Sequence, residues 1–175
     1  MNQSCLSGII AAQTDRALRE IGNLLKCIPE ASWESVFGGQ PVWRHVYHML
    51  HSLDLWFMNP RNTAYDEPSF HINGMNSLIH EYQGPALGSS QLTDYFSSIH
   101  IKITNYTKTL KDDELLHCPD DCEYTRFTLI LAQFRHVHTH MGMLMGFVVS
   151  TTNKWPYIIG LEGEEKQTPD GQFYS

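Results

Sequence analysis

The chain carries ten histidines in 175 residues, and they are clustered: His45, His48 and His51 in one stretch, His136, His138 and His140 in another. Neutral imidazole binds zinc, nickel and other late first-row ions, so clusters of this kind point to a metal site. On a helix, residues four apart share one face, about 6 Å between Cβ atoms, so His136 and His140 can converge on one ion. HxxxH by itself is weak, because a histidine-rich chain makes such pairs by chance. His138 stands about 200° around the axis from His136 and cannot share their ion without distortion. A core or interface role suits it better.

The third ligand has to come from another element, and the 45–51 cluster is the obvious donor. His48 is about 200° from Val46, opposite the main apolar stripe of its segment, and His136 and His140 stand in the same relation to Phe134. Turned together, two such faces make a cleft holding His48, His136 and His140; solvated polar faces would carry the same residues. Three neutral imidazoles leave one or more coordination positions for water or substrate, which is the layout of a reactive site. A bound water with its pKa lowered towards about 7 can act as nucleophile, or a bound thiol can be held as thiolate. His51 and Asp54 lie within two turns of His48 and are weak candidates for orienting or proton-transfer roles, with ordinary surface polarity as the competing reading. Met49, Met58, Met141, Met143 and Met145 read as adaptable packing. Cys118 and Cys122, in the polar loop CPDDC, have neither the redox nor the usual zinc spacing, and with Cys5 and Cys27 are expected as reduced thiols.

Four helices must position these residues. The first runs from about Ser7 to Cys27, with Ile10, Thr14, Leu18, Ile21 and Leu25 on one stripe, a polar face of Asp15, Arg19 and Asn23, and Pro29 closing it. The second follows Phe37-Gly38-Gly39-Gln40, takes Pro41 in its first turn and ends before Asn59-Pro60, with Val42, Val46, Leu50, Leu53 and Phe57 apolar. An irregular stretch over about 60–88 is too long for a bare connector, and a short helix is expected near Asn76 to Tyr82. The third helix starts from Ser89 or Ser90 as N-cap and runs through Leu92, Tyr95, Phe96, Ile99, Ile103, Tyr106 and Leu110. The fourth runs from near Thr125 to about Ser150. It has one apolar stripe through Phe134, Val137, Met141 and Met145, and a second through Leu129, Met143, Leu144 and Phe147. A short extended piece is expected at Trp155 to Ile159, and the last residues, GLEGEEKQTPDGQFYS, read as a poorly ordered tail or a surface strap. The fold expected is all-α, a four-helix bundle in a single domain over 1–175, with its core at about 8–150 and a tail at 151–175.

PVWRHVYHMLHSLDLWF, with an aromatic before a histidine and an acidic residue six after it, together with HVHTHMG, resembles the DinB-like superfamily, the YfiT-like metal-dependent four-helix bundles. The resemblance covers roughly residues 8 to 150 in helix order, loop lengths and motif. It implies one metal ligand on the second helix, at His48, and a pair on the last, at His136 and His140. Met143 departs from the pattern, since many relatives carry glutamine there. The resemblance further implies thiol-dependent transferases and isomerases using low-molecular-weight thiols, frequent dimers, and a family name that refers to damage-inducible expression of a relative.

Composition narrows the partners. A net charge of −7 with scattered Lys and Arg offers no basic face for nucleic acid. The start, MNQSCLSGII, lacks the basic and apolar regions of a signal peptide, and no stretch approaches a membrane span, so a cytoplasmic protein without membrane partners is expected. The functional expectation is a zinc- or nickel-dependent enzyme acting on a small molecule, of thiol S-transferase or hydrolase type, with a low-molecular-weight thiol as possible cosubstrate. The alternative is a non-catalytic metal-binding or stress-response regulatory module. A homodimer is expected because one bundle core absorbs only one apolar stripe of the fourth helix fully.

Overall fold

The computed structural model describes residues 5–161 and 171–174. In chain order these form α1 (Leu6–Cys27), a hairpin of β1 (Val36–Phe37) and β2 (Gln40–Pro41), α2 (Val42–Trp56), α3 (Ser89–Thr109) and α4 (Arg126–Thr152). Single 3-10 turns lie at Glu30–Ser32 and Asp112–Glu114. The fold is mostly helical, and the four helices pack side by side as a bundle. The hairpin was not anticipated. Gly38 and Gly39 turn it with φ of +57° and +85°, a conformation that residues with a Cβ rarely adopt.

Pairs of touching side chains give the helix directions. Phe37 meets Phe147, His48 meets His136, and Ser52 meets Gln133, so α2 and α4 are antiparallel. Tyr47 meets Tyr95, Asp54 meets Lys102, and Phe57 meets Tyr106, so α2 and α3 are parallel. Gly22 lies against Phe96, and His100 lies in the field of Asp15 and Arg19, so α1 runs against α3 and therefore along α4. Parallel neighbours cannot be joined by a tight turn. The chain after Trp56 has to travel back along the bundle before α3 begins, which is why the 57–88 connection is long.

That crossover is anchored by Arg44, only 2% exposed, whose guanidinium donates to the carbonyls of Gly74, Met75, Ser77 and His80 and to Gln40 Oε1. The helix expected near Asn76 to Tyr82 does not form; turns and bends stand there instead. Carbonyls that a helix would bond internally are turned to a buried guanidinium. The crossover also covers the polar side of α2, and the hairpin covers His45, so that Trp43, Arg44, His45, Tyr47 and His51 are buried along with Val42, Val46, Leu50 and Leu53. Amphipathic reading of α2 missed this, because the cover comes from a segment without periodicity.

Boundaries shift slightly. Pro41 is the N-cap of α2 and not a residue of its first turn. Gly88 is the N-cap of α3, and Ser89 Oγ instead donates to the Glu30 carboxylate at 2.7 and 2.8 Å. On α4, Leu129, Val137, Met141, Leu144 and Phe147 are all buried, and Phe147 packs on Phe37 of the hairpin with ring centroids 5.4 Å apart. Residues of both apolar stripes thus find cover within the chain. The C-terminal segment is a strap in its described part: Pro156 bridges Phe173, Asn23 Nδ2 donates to the carbonyls of Tyr157 and Gln172, and Ile159 N–H donates to Glu20. The strap lies on the polar face of α1. Residues 162–170 and 175 of the expected tail, and residues 1–4 of the N-terminal segment, lie outside the described residues.

Candidate metal centre

His48 on α2 and His136 and His140 on α4 come together, all three half-buried, with one ligand-type atom from each within 4.8 Å of the others. Antiparallel packing and the one-turn spacing of HxxxH suffice to bring this about. His136 Nε2 lies 3.2 Å from His48 Nε2 and 3.1 Å from His140 Nε2. A tetrahedral ion with metal–nitrogen distances of 2.0–2.1 Å separates adjacent ligand nitrogens by about 3.3 Å. The spacing fits that ion.

Proton counting supports the same reading. His48 Nδ1 lies 2.6 Å from the Asn76 carbonyl, which can only accept, so Nδ1 carries a proton and the neutral ring presents a bare Nε2. His136 Nε2 has two nitrogen neighbours, and one proton there can serve only one of them. Nδ1 of His136 and of His140 is buried without a partner among the described residues. Burial lowers the pKa of His136, and the neighbouring imidazole of His48, which disfavours a second positive charge beside it, lowers it further. His140 is pushed down to about 4, chiefly by burial and then by His136 and His48. His136 and His140, kept neutral by burial, are in the protonation state that ligates a cation. The carbonyl bond to His48 is the usual way a ligating imidazole is oriented.

The neighbouring histidines of each helix go elsewhere. His45 Nε2 bonds the Phe37 carbonyl at 2.7 Å, tying the hairpin to α2. His138 is exposed, with Nδ1 2.7 Å from the Phe134 carbonyl, so it leaves the triad as expected but is no core residue. His51 Nε2 lies 2.7 Å from Glu67 Oε2. Asp54 accepts from Lys102 Nζ at 2.5 Å and from the hydroxyls of Tyr95 and Tyr65 at 2.9 and 3.3 Å, joining α2 to α3 and the crossover. Among the described residues neither His51 nor Asp54 hydrogen-bonds to the triad. Cys118 is exposed and Cys122 buried, and no disulfide is formed among the described residues.

Reading the sequence missed Asn76, whose backbone carbonyl orients His48 and whose side chain reaches His51 Nδ1 at 3.4 Å. No residue type marks a backbone carbonyl for such a role. It also missed Glu67 and His71, although EPSFH carries an i,i+4 spacing, because the segment around them reads as irregular. Compared with protein-family models, with curated proteins and with solved structures, the chain matches none.

Proposed function

We propose that His48, His136 and His140 hold a divalent transition-metal ion, zinc or nickel, and that the chain is a metal-dependent enzyme of the DinB-like superfamily acting on a small molecule. The observation that carries this is the convergence of three Nε2 atoms from two helices, with contacts of 3.1 and 3.2 Å. Four helices with a long connection between the second and third agree with the resemblance in the sequence. When bound, such an ion supplies Lewis-acid activation of a water or a thiol.

The chain's own residues prepare the site. Asn76 holds His48 in the tautomer that presents Nε2, and burial keeps His136 and His140 neutral. All three residues are half-buried, so the centre is not sealed inside the core. An open set of this kind suits thiol S-transfer or hydrolysis, in a cytoplasmic protein supplied with a low-molecular-weight thiol. Elemental analysis of protein purified without a polyhistidine tag, followed by a screen of thiols against several electrophiles and of hydrolysable esters and amides, tests the reading. Stoichiometric metal with turnover that depends on His136 supports it. Stoichiometric metal without turnover in any arm returns the protein to the class of metal-binding or regulatory modules, and metal-free protein that takes up no ion defeats the site itself. Among the described residues no helix is long and apolar enough to cross a membrane.

A further inference from the structure

Just under one turn along α2 from His48, a second group converges: His51, Glu67 and His71 each bring one ligand-type atom within 4.8 Å of the others. Glu67 Oε2 is 2.7 Å from His51 Nε2 and 3.7 Å from His71 Nδ1. The two imidazoles stack, with planes 18° apart and centroids at 5.2 Å, and flank the carboxylate together. Their side chains are 5% and 15% exposed, whereas Glu67 is 46% exposed. Two imidazoles therefore form the inner wall of a site whose carboxylate stands at its mouth, open to an arriving ion and to the waters that would complete its coordination.

We propose that His51, Glu67 and His71 form a second divalent-metal site, separate from the three-histidine centre, that pins the crossover to α2. Two imidazole nitrogens and one carboxylate oxygen are the donor set of zinc and other first-row divalent ions. One anionic ligand offsets part of the ion's charge, which the three-histidine centre does not do.

The surrounding groups allow the exchange of a proton network for an ion. In the ion-free form His51 donates from Nε2 to Glu67, and Asn76 Nδ2 faces His51 Nδ1 at 3.4 Å. Ion binding moves that proton from Nε2 to Nδ1, where a half-turn of the Asn76 amide presents Oδ1 to accept it, so no proton is lost. His71 Nδ1 lies 2.6 Å from the hydroxyl of buried Tyr47, so ligation through Nδ1 turns that nitrogen from Tyr47 towards Glu67 and exchanges the hydrogen bond for the ion. Glu67 and His71 both belong to the crossover and His51 to α2, so an ion here adds to the ties that Arg44, His48 and Asp54 already make between the two segments.

The test is zinc titration of the metal-free, untagged full chain by calorimetry, with elemental analysis after desalting. Glu67→Gln retains an oxygen to accept from His51, and sits at the surface, so it folds; it is compared with the unaltered chain and with His71→Ala. The expected result is that the unaltered chain binds about one zinc more than either variant. In a His136→Ala background, zinc slows proteolysis within residues 57–88, and adding Glu67→Gln abolishes that protection. Equal zinc uptake by the unaltered chain and Glu67→Gln overturns the second site. Because the decisive quantity is a difference at Glu67, that failure is distinguishable from failure of the three-histidine centre, which is read from His136→Ala alone.

Discussion

The Asn76 carbonyl accepts the Nδ1 proton of His48 at 2.6 Å, so a residue of the crossover sets the tautomer of a ring on α2. Asn76 lies between Met75 and Ser77, whose carbonyls are both held by Arg44. The orientation of the candidate ligand thus depends on a guanidinium that never touches it.

Replacing Arg44 with alanine should strand several buried carbonyls and lower stability by about 3 kcal/mol in urea denaturation. The same change should weaken metal affinity by about tenfold through the loosened Asn76 carbonyl. Lysine should not rescue it, since an ammonium cannot span the same acceptors as a planar fork. Unchanged affinity in a destabilised Arg44→Ala chain would detach the crossover from the metal centre.

His48→Ala, His136→Ala and His140→Ala should each lose the ion, while His138→Ala keeps it. His138 is exposed and bonded to its own helix, which is why it serves as the control. Elemental analysis of the four variants decides the matter, and a His136→Ala protein with full metal at that centre removes it.

Chelation should lower the melting temperature by several degrees without abolishing helical circular dichroism. The apolar core extends through all four helices, from Leu18 and Ile21 through Leu50 and Ile99 to Leu144, and needs no ion to form. Collapse of the helical signal on adding chelator would mark the ion as structural.

Acid should destabilise the metal-free protein through histidines buried in neutral form. Burial lowers the pKa of His45, His100 and His136 below the ordinary 6.5, and takes His140 down to about 4. The unfolded chain then binds more protons than the folded one between those values, so this contribution is fully present above about 6.5 and is lost as pH falls through the folded pKa values. Urea midpoints in the presence of chelator should drop steadily from pH 7 to pH 4.5, and a flat profile would contradict the assignment of neutral buried rings.

Self-association is expected as a two-fold dimer. The expectation rests on the resemblance alone, because much of the second stripe of α4, which argued for it in the sequence, is buried within the chain. Light scattering at micromolar concentration should return twice the chain mass of 20.1 kDa. A value equal to one chain ends the dimer proposal.

The four helices, the long connection between the second and third, and the pairing of His136 with His140 follow from the order of residues alone. Helical spacing is a local property, and two side chains on one turn keep their relation whatever surrounds them. His48 was legible as the third ligand only by way of the resemblance and a wheel argument, because three histidines compete on α2. Tertiary structure separated them: His45 turns to the Phe37 carbonyl, His51 to Glu67, and His48 to α4. Periodicity relates residues within one helix, but the rotation of that helix against its neighbours comes from packing on all sides, and here one side is an aperiodic crossover. For the same reason Arg44, Asn76, Glu67 and His71 acquire their roles only once the crossover has been laid against α2, where buried polar groups must find partners that no local pattern announces.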